Sequence, residues 1–328
     1  MKRTTAVVLG LLLTASCSGN ASSGLNEPGA TYEPQSSFNL VSESPTPAVT
    51  LAKDRSDSTK DEVTQSAKID YPVTIVSLSP TATEMLFVIG AGEQVVAVDN
   101  YSDFPPQAPV VEELSGWNPN VEAIASYQPD LVILSDSGIQ EELELLGIEV
   151  FVAPAATDLE DVYRQMLELG VLTGKYDAAT LVVAYMREQI GEILASIEQP
   201  DQPLSYYHEL DDTLYSVTSS TFVGYIYSLA GLINIADPAD SDGSSWGYPQ
   251  LTQEFVLESD PDIIFFADAE CCGQSIETIA SRPGWSELKA VRNGNIFDVN
   301  DAVSSRWGPR LVDFLATVSA AVSAVKVE

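Results

Sequence analysis

The chain has 328 residues, 45% of them hydrophobic, which is enough apolar mass for two domains of ordinary size and excludes global disorder. Lysine and arginine total 15 against 48 acidic residues, a net charge of −33; so negative a surface repels phosphate backbones and argues against nucleic acid as a partner. One histidine, His208, and three cysteines, Cys17, Cys271 and Cys272, cannot supply a zinc set, and any Ser-His-Asp or Cys-His device would have to be built on His208, so the composition leans away from hydrolytic and metal catalysis.

Lys2 and Arg3 precede an apolar run over residues 6–13, followed by Thr14, Ala15, Ser16 and Cys17. A basic head, a short apolar middle and small residues form an export signal too short to span a membrane permanently. The cysteine after small residues resembles the bacterial lipoprotein cleavage box, which implies that residues 1–17 are a signal ending at Cys17 and that Cys17 carries the lipid. Thr14 departs from the aliphatic residue usual in that box, and an ordinary cleaved signal with an incidental cysteine is the alternative. Residues 18–70 are rich in Ser, Thr, Pro, Asn, Glu and Asp and too poor in apolar groups to fold, which predicts a disordered tether.

From Val73 the texture changes. Residues 73–78 read as a buried strand and 81–89 as a helix, with Thr81 and Glu84 at capping-box spacing. Gly90 and Gly92 end that helix; they lack a third glycine and follow a helix, so they do not make a dinucleotide turn. Strands are predicted over 94–98, 129–134 and 148–152, and helices over 121–127, 141–146 and 159–172, with a proline-bearing loop at 100–106. Strands alternating with helices imply a parallel, helix-covered sheet.

Residues 176–198 carry apolar side chains at Ala179, Val182, Val183, Met186, Ile190, Ile193, Leu194 and Ile197, one stripe on one face of a long helix. Thr173 and Gly174 offer a start signal and Pro200 a stop. Beyond it the pattern restarts: strand-like segments at 204–209 and 214–217, a helix at 222–232, and a polar loop at 237–248. Residues 253–268 then align without gaps on 121–136, matching Glu122 with Glu254, Pro129 with Pro261, Asp130 with Asp262 and Asp136 with Asp268. The expected fold is α/β, two Rossmann-like lobes bridged by a single long helix, with 71–172 as the N-terminal lobe, 173–199 as the bridge and 200–328 as the C-terminal lobe.

With these segments in order, the chain resembles the class III substrate-binding proteins of bacterial ABC importers, whose members bind cobalamin, ferric siderophores or haem. The resemblance rests on residues 75–86, on 121–124 with 129–133, on Glu254 and 261–264, and on 282–285 and 308–311. It implies a ligand cleft between the lobes, a permease and its ATPase as partners, no reaction and hence no enzyme, and no resident cofactor. It further implies that Glu122 and Glu254, one per lobe, dock onto permease arginines, a pairing that is bidentate and directional.

Loops after strands face the cleft in such an architecture, which nominates Tyr101, Asp103, Trp117, Trp246, Tyr248 and Arg306 as ligand contacts, with Trp307 a further cleft residue. Two tryptophans at equivalent places on facing lobes would grip a flat macrocycle. His208 is a conceivable axial ligand for haem or corrinoid metal, or a hydrogen-bonded structural residue. Asp237, Asp240 and Asp242 lack the glycine and terminal glutamate of a calcium loop and read as a polar turn. Cys271 and Cys272, adjacent in an oxidising compartment, are candidates for a strained vicinal disulfide, serving either a redox function or a stiffened loop near the cleft. The expected cargo is a corrinoid, with haem or a ferric siderophore as the alternative, and a two-lobed chelatase-like enzyme as the reading from another class.

Overall fold

The structure is a computed structural model that describes residues 71–198 and 200–326; Cys17, the signal and the tether lie outside the described residues. The first half runs β1 (Ile75–Leu78), α1 (Pro80–Val88), β2 (Val95–Val98), α2 (Val121–Ser126), β3 (Leu131–Leu134), α3 (Gln140–Leu145), β4 (Glu149–Val152), α4 (Leu159–Thr173) and α5 (Tyr176–Ser196). The second runs β5 (Ser205–Glu209), α6 (Phe222–Leu229), β6 (Ile233–Asn234), α7 (Gln253–Ser259), β7 (Ile263–Phe266), α8 (Ala269–Cys272), α9 (Ile276–Ala280), α10 (Lys289–Asn293), β8 (Ile296–Asp298), α11 (Asp301–Ser304) and α12 (Leu311–Ala324).

The strands form two separate parallel sheets with the same winding, β2-β1-β3-β4 and β6-β5-β7-β8. β1 and β3 are buried along their whole length, as strands covered by helices on both faces must be. Alternate residues serve opposite faces: Ile75 and Ile133 join a central core with α1, α4 and α5, while Val76, Leu78, Val132 and Leu134 pack with Ile124 of α2 and Leu143 of α3. In the second sheet Tyr206 and Phe265 join the same central core, and Tyr207, Ile264 and Phe266 face Val256, Ile279 and Trp285. Between the two stands α5, whose buried Ala179, Val182, Val183, Met186 and Ile190 follow the expected stripe. At 21 residues it is about 31 Å long, and it packs against α4 from the first half and α12 from the second.

The echo between residues 121–136 and 253–268 has a physical cause. Asp130 Oδ2 accepts from the amides of Val73 and Thr74 and from the Thr74 hydroxyl, and Asp262 Oδ2 accepts from the amide and hydroxyl of Ser205. Each aspartate therefore ties the start of one central strand to the start of its neighbour, where unpaired strand-end amides need acceptors.

Three local expectations are corrected. Thr81 and Glu84 form no capping box: the cap is Ser79, whose hydroxyl accepts from Ala82, and the helix begins at Pro80, leaving Glu84 in its interior. Gly174 does not start α5; it closes α4 in the left-handed conformation, so one glycine ends one helix and Lys175 opens the next with no side-chain cap. Residues 214–217 are not a strand: Leu214 has a φ of 68°, and only an isolated bridge joins Tyr215 to Gln250. The second sheet takes its edge instead from the two residues of β6, which pair with Ser205 and Tyr206.

Candidate functional site

The loop that leaves β2, together with side chains of α1 and α4, meets the segment that joins α11 to α12. Arg306 donates from Nη1 to Glu84 Oε1 at 3.2 Å, and from Nη2 to the Tyr101 carbonyl at 2.8 Å and to Asp103 Oδ1 at 3.2 Å. Arg310 grips the same glutamate through Nε to Oε2 at 3.1 Å and Nη2 to Oε1 at 2.6 Å, and its guanidinium lies 3.9 Å from the Phe104 ring centre. Between them Trp307 donates from Nε1 to Gln165 Oε1 at 3.2 Å. The second half of the chain thus supplies two arginines to a fully buried carboxylate of the first. Arg306 and Asp103, nominated as ligand contacts, are paired with each other at this junction.

The nominated aromatics are outward-facing. Trp117 is 91% exposed and Trp246 88%, values that few tryptophans in a folded domain reach. Tyr101 and Tyr248 are also exposed. Each tryptophan lies on the loop entering the helix that precedes the central Pro-Asp strand: Trp117 comes shortly before the α2 cap, Asn120, and Trp246 before the α7 cap, Thr252. Glu122 and Glu254 occupy the first turns of those helices and are exposed, where negative charge also suits the helix amino terminus.

Below the loops of the second sheet lies a charged cluster. Arg282 reaches Glu209 with two nitrogens at 2.5 and 2.6 Å, stacks 4.6 Å from the Trp285 ring centre, and Tyr207 donates to Glu209 at 3.2 Å. Asp268, at the end of β7, is fully buried with no hydrogen-bond partner on either oxygen; burial, and then the neighbouring Glu209 carboxylate, push its carboxyl up to about 7. None of Glu84, Glu209, Asp268 or Arg310 was nominated from sequence. Arg306 and Arg310 stand four residues apart in a chain poor in cations, and that spacing was the available signal.

The remaining expectations resolve as follows. Cys271 and Cys272 are free, exposed thiols, not a disulfide, because both lie in a helical turn that directs successive side chains about 100° apart. The Cys271 thiol is pushed up to about 12 by its hydrogen bond with Cys272 and by burial. His208 is sealed in the core of β5, held through Nδ1 by the Tyr227 hydroxyl at 2.9 Å, and burial lowers it to about 3; it is the structural histidine and not a metal ligand. Asp237, Asp240 and Asp242 all spend their carboxylates on backbone amides of Ser219, Ser245, Gly247 and Ser244.

A family model described as periplasmic binding protein matches residues 75–303. The chain belongs to the periplasmic binding protein family. It is accordingly a binding protein and not an enzyme. This binding protein is 28% identical over 252 residues to an uncharacterised ABC transporter substrate-binding lipoprotein, YvrC, of Bacillus subtilis, a match covering 74% of this chain and 77% of that one. It is 29% identical over 258 residues to a cobalamin-binding protein of Halobacterium salinarum, covering 76% and 69%. Among solved structures, the periplasmic haem-binding protein RhuT from Roseiflexus sp. RS-1 shares the fold with a TM-score of 0.66 at 22% identity, covering 77% of this chain and 99% of that one.

Proposed function

We propose that this binding protein is the capture component of an ABC importer, a lipoprotein held to the membrane through Cys17, and that its cargo is a corrinoid. On this reading residues 1–17 are the signal, 18–70 the tether, 71–172 and 200–328 the lobes, and 173–199 the bridge. The cargo sits where the post-strand loops meet, against Trp117, Trp246, Tyr101 and Tyr248, and Glu122 and Glu254 present the loaded protein to permease arginines. The observation that carries the reading is the pair of almost fully exposed tryptophans at equivalent stations of two sheets, each a few residues before an exposed glutamate. The names of the Bacillus and Halobacterium relatives support the importer and the corrinoid respectively.

The site chemistry favours the corrinoid. A haem needs an axial ligand, and the chain's one histidine is buried beside Tyr227, so a haem would have to be held by a tyrosine such as Tyr101 or Tyr248. Siderophores carry anionic groups that call for free cations, whereas Arg282, Arg306 and Arg310 are all committed to protein carboxylates. A corrinoid with its cobalt already ligated requires neither.

Titrating the purified chain with cyanocobalamin, haemin and a ferric hydroxamate, followed by tryptophan quenching, tests the reading. Cyanocobalamin is expected to bind, and Trp117→Ala and Trp246→Ala each to weaken it about ten- to a hundredfold, as loss of an aromatic anchor does. Binding that survives both substitutions intact would remove the site from these loops.

A further inference from the structure

We infer that Asp99 and Asp240 are positioning residues for ligand capture: each carboxylate seats a glycine that flanks one of the two outward-facing tryptophans, holding the indole on a fixed frame. The inference rests on the proposed capture role of Trp117 and Trp246.

The two aspartates occupy corresponding places. Asp99 directly follows β2 and Asp240 closes the short turn that follows β6, and these are the equivalent edge strands of the two sheets. Asp240 straddles Trp246, accepting from the Ser245 amide through Oδ1 and from the Gly247 amide through Oδ2, both at 2.7 Å. Trp246 itself has a φ of 55°, a left-handed conformation that a bulky residue adopts only when its surroundings impose it. Gly247 follows with a φ of 89°, and a Cβ there would lie 2.6 Å from Thr221 Cγ2. Its carbonyl accepts from the Thr218 amide at 2.8 Å, so the loop is pressed onto the turn that caps α6.

In the first half, Asp99 is 1% exposed and its Oδ1 accepts from the amides of Tyr101 at 3.1 Å and Ser102 at 2.8 Å. Its Oδ2 has no hydrogen-bond partner of normal geometry and faces Gly116, where a Cβ would stand 2.3 Å from that oxygen and 3.0 Å from the Leu78 carbonyl. One buried carboxylate thereby joins the loop of Tyr101 to the loop of Trp117. Only a glycine lets the second loop come so close.

A loop with no task beyond connection needs no such frame. An exposed indole on a loose loop gains by folding back onto the surface and burying its ring. Here the rings stay outward while the backbone on both sides of Trp246 is fixed by charge-assisted hydrogen bonds and the glycine before Trp117 is packed against the Asp99 carboxylate. That is pre-organisation: the ordering is done before the ligand arrives and is not deducted from binding.

The test uses the full chain with Trp117→Phe as background, so that Trp246 is the exposed emitter, since Trp285 is fully buried and Trp307 is half-buried. Asp240→Ala is expected to raise acrylamide quenching of Trp246 about twofold, to lower its anisotropy, and to weaken cyanocobalamin about tenfold. Asp240→Asn, which keeps one acceptor for one of the two amides, should recover part of both signals, a rescue that general loss of stability would not produce. Should Asp240→Ala fail to fold, Asp240→Glu, which keeps the charge and displaces it, is read by the same quenching and anisotropy. Asp99→Asn, in the reciprocal Trp246→Phe background, should loosen Trp117 in the same way. Unchanged quenching and anisotropy in Asp240→Ala overturn the inference, and this arm needs no ligand. Intact cyanocobalamin binding in Trp117→Ala and Trp246→Ala would instead sink the capture role, so the two failures are distinguishable.

Discussion

The two lobes share a strand order and a Pro-Asp tie, yet each handles its buried glutamate differently. In the second lobe Glu209 is answered from within, by Arg282 of the same lobe, with Trp285 stacked behind it. In the first lobe Glu84 has no cation of its own and is answered by Arg306 and Arg310 from across the junction. A carboxylate buried without a partner is prohibitively unfavourable, so the first lobe is electrostatically complete only when the second is docked on it. The clasp adds to the apolar packing of both halves around α5.

The sharpest way to break the comparison is to remove the clasp. Arg310→Ala leaves Glu84 buried with one of its three arginine hydrogen bonds, and breaking such a pair is expected to destabilise the protein by about 3–5 kcal/mol, read as a shift in the urea midpoint. Arg282→Ala should destabilise by a similar amount, but only the Arg310 variant should separate unfolding into two transitions, since only that pair crosses the junction. A single transition of unchanged midpoint in Arg310→Ala would show the lobes to be joined by apolar packing alone.

Asp268 supplies the next test, because its buried carboxyl, unlike that of Asp99 in the first lobe, has no hydrogen-bond partner on either oxygen. Its position in the folded protein, about 7 against 3.8 for the free group, means that the fold prefers it protonated. The associated stability is fully present below pH 3.8 and is lost as the pH rises through 7, on the order of 2–4 kcal/mol for a shift of this size. Asp268→Asn, which keeps the shape and cannot ionise, should therefore raise the melting temperature at pH 8.5 and leave it unchanged or lower at pH 4.5. A variant gaining no stability at alkaline pH would place the proton elsewhere in the cluster.

How much of this was legible in the chain follows from how local each determinant is. The α5 stripe, the buried strands and the Trp loops are written in short-range periodicity and punctuation, and the structure reproduces them. The Pro-Asp echo was visible as a repeat, although its cause, a bond to a residue 57 positions earlier, was not. Glu84 misled for the same reason: its spacing from Thr81 suits a cap, while its partners lie more than 200 residues away. The two-residue β6 is too short to carry an alternation, and it is a strand only because β5 lies beside it. Cys271 and Cys272 read as a disulfide from adjacency alone, whereas the turn of α8 decides how their side chains diverge.

The smallest effect concerns the feature the lobes share most closely. Asp130 and Asp262 make the same tie, but Asp130 is exposed and Asp262 half-buried. The amides of Val73 and Thr74, with the Thr74 hydroxyl, hold the Asp130 carboxyl below the usual carboxylate range. Its contribution is therefore present above pH 3.8 and is lost as the pH falls through the lowered value, and solvent screening keeps it below about 1 kcal/mol. Asp262→Asn, which weakens acceptors less open to water, should lower the urea midpoint more than Asp130→Asn does, by a further half to one kcal/mol or so. Both should act on amide exchange at the start of one central strand, β1 or β5, and leave the Trp117 and Trp246 loops untouched. Equal losses from the two variants would mean that the tie's strength comes from its geometry and not from its shelter. A change in exchange around either tryptophan would couple strand entry to the ligand loops at the far end of the same sheet.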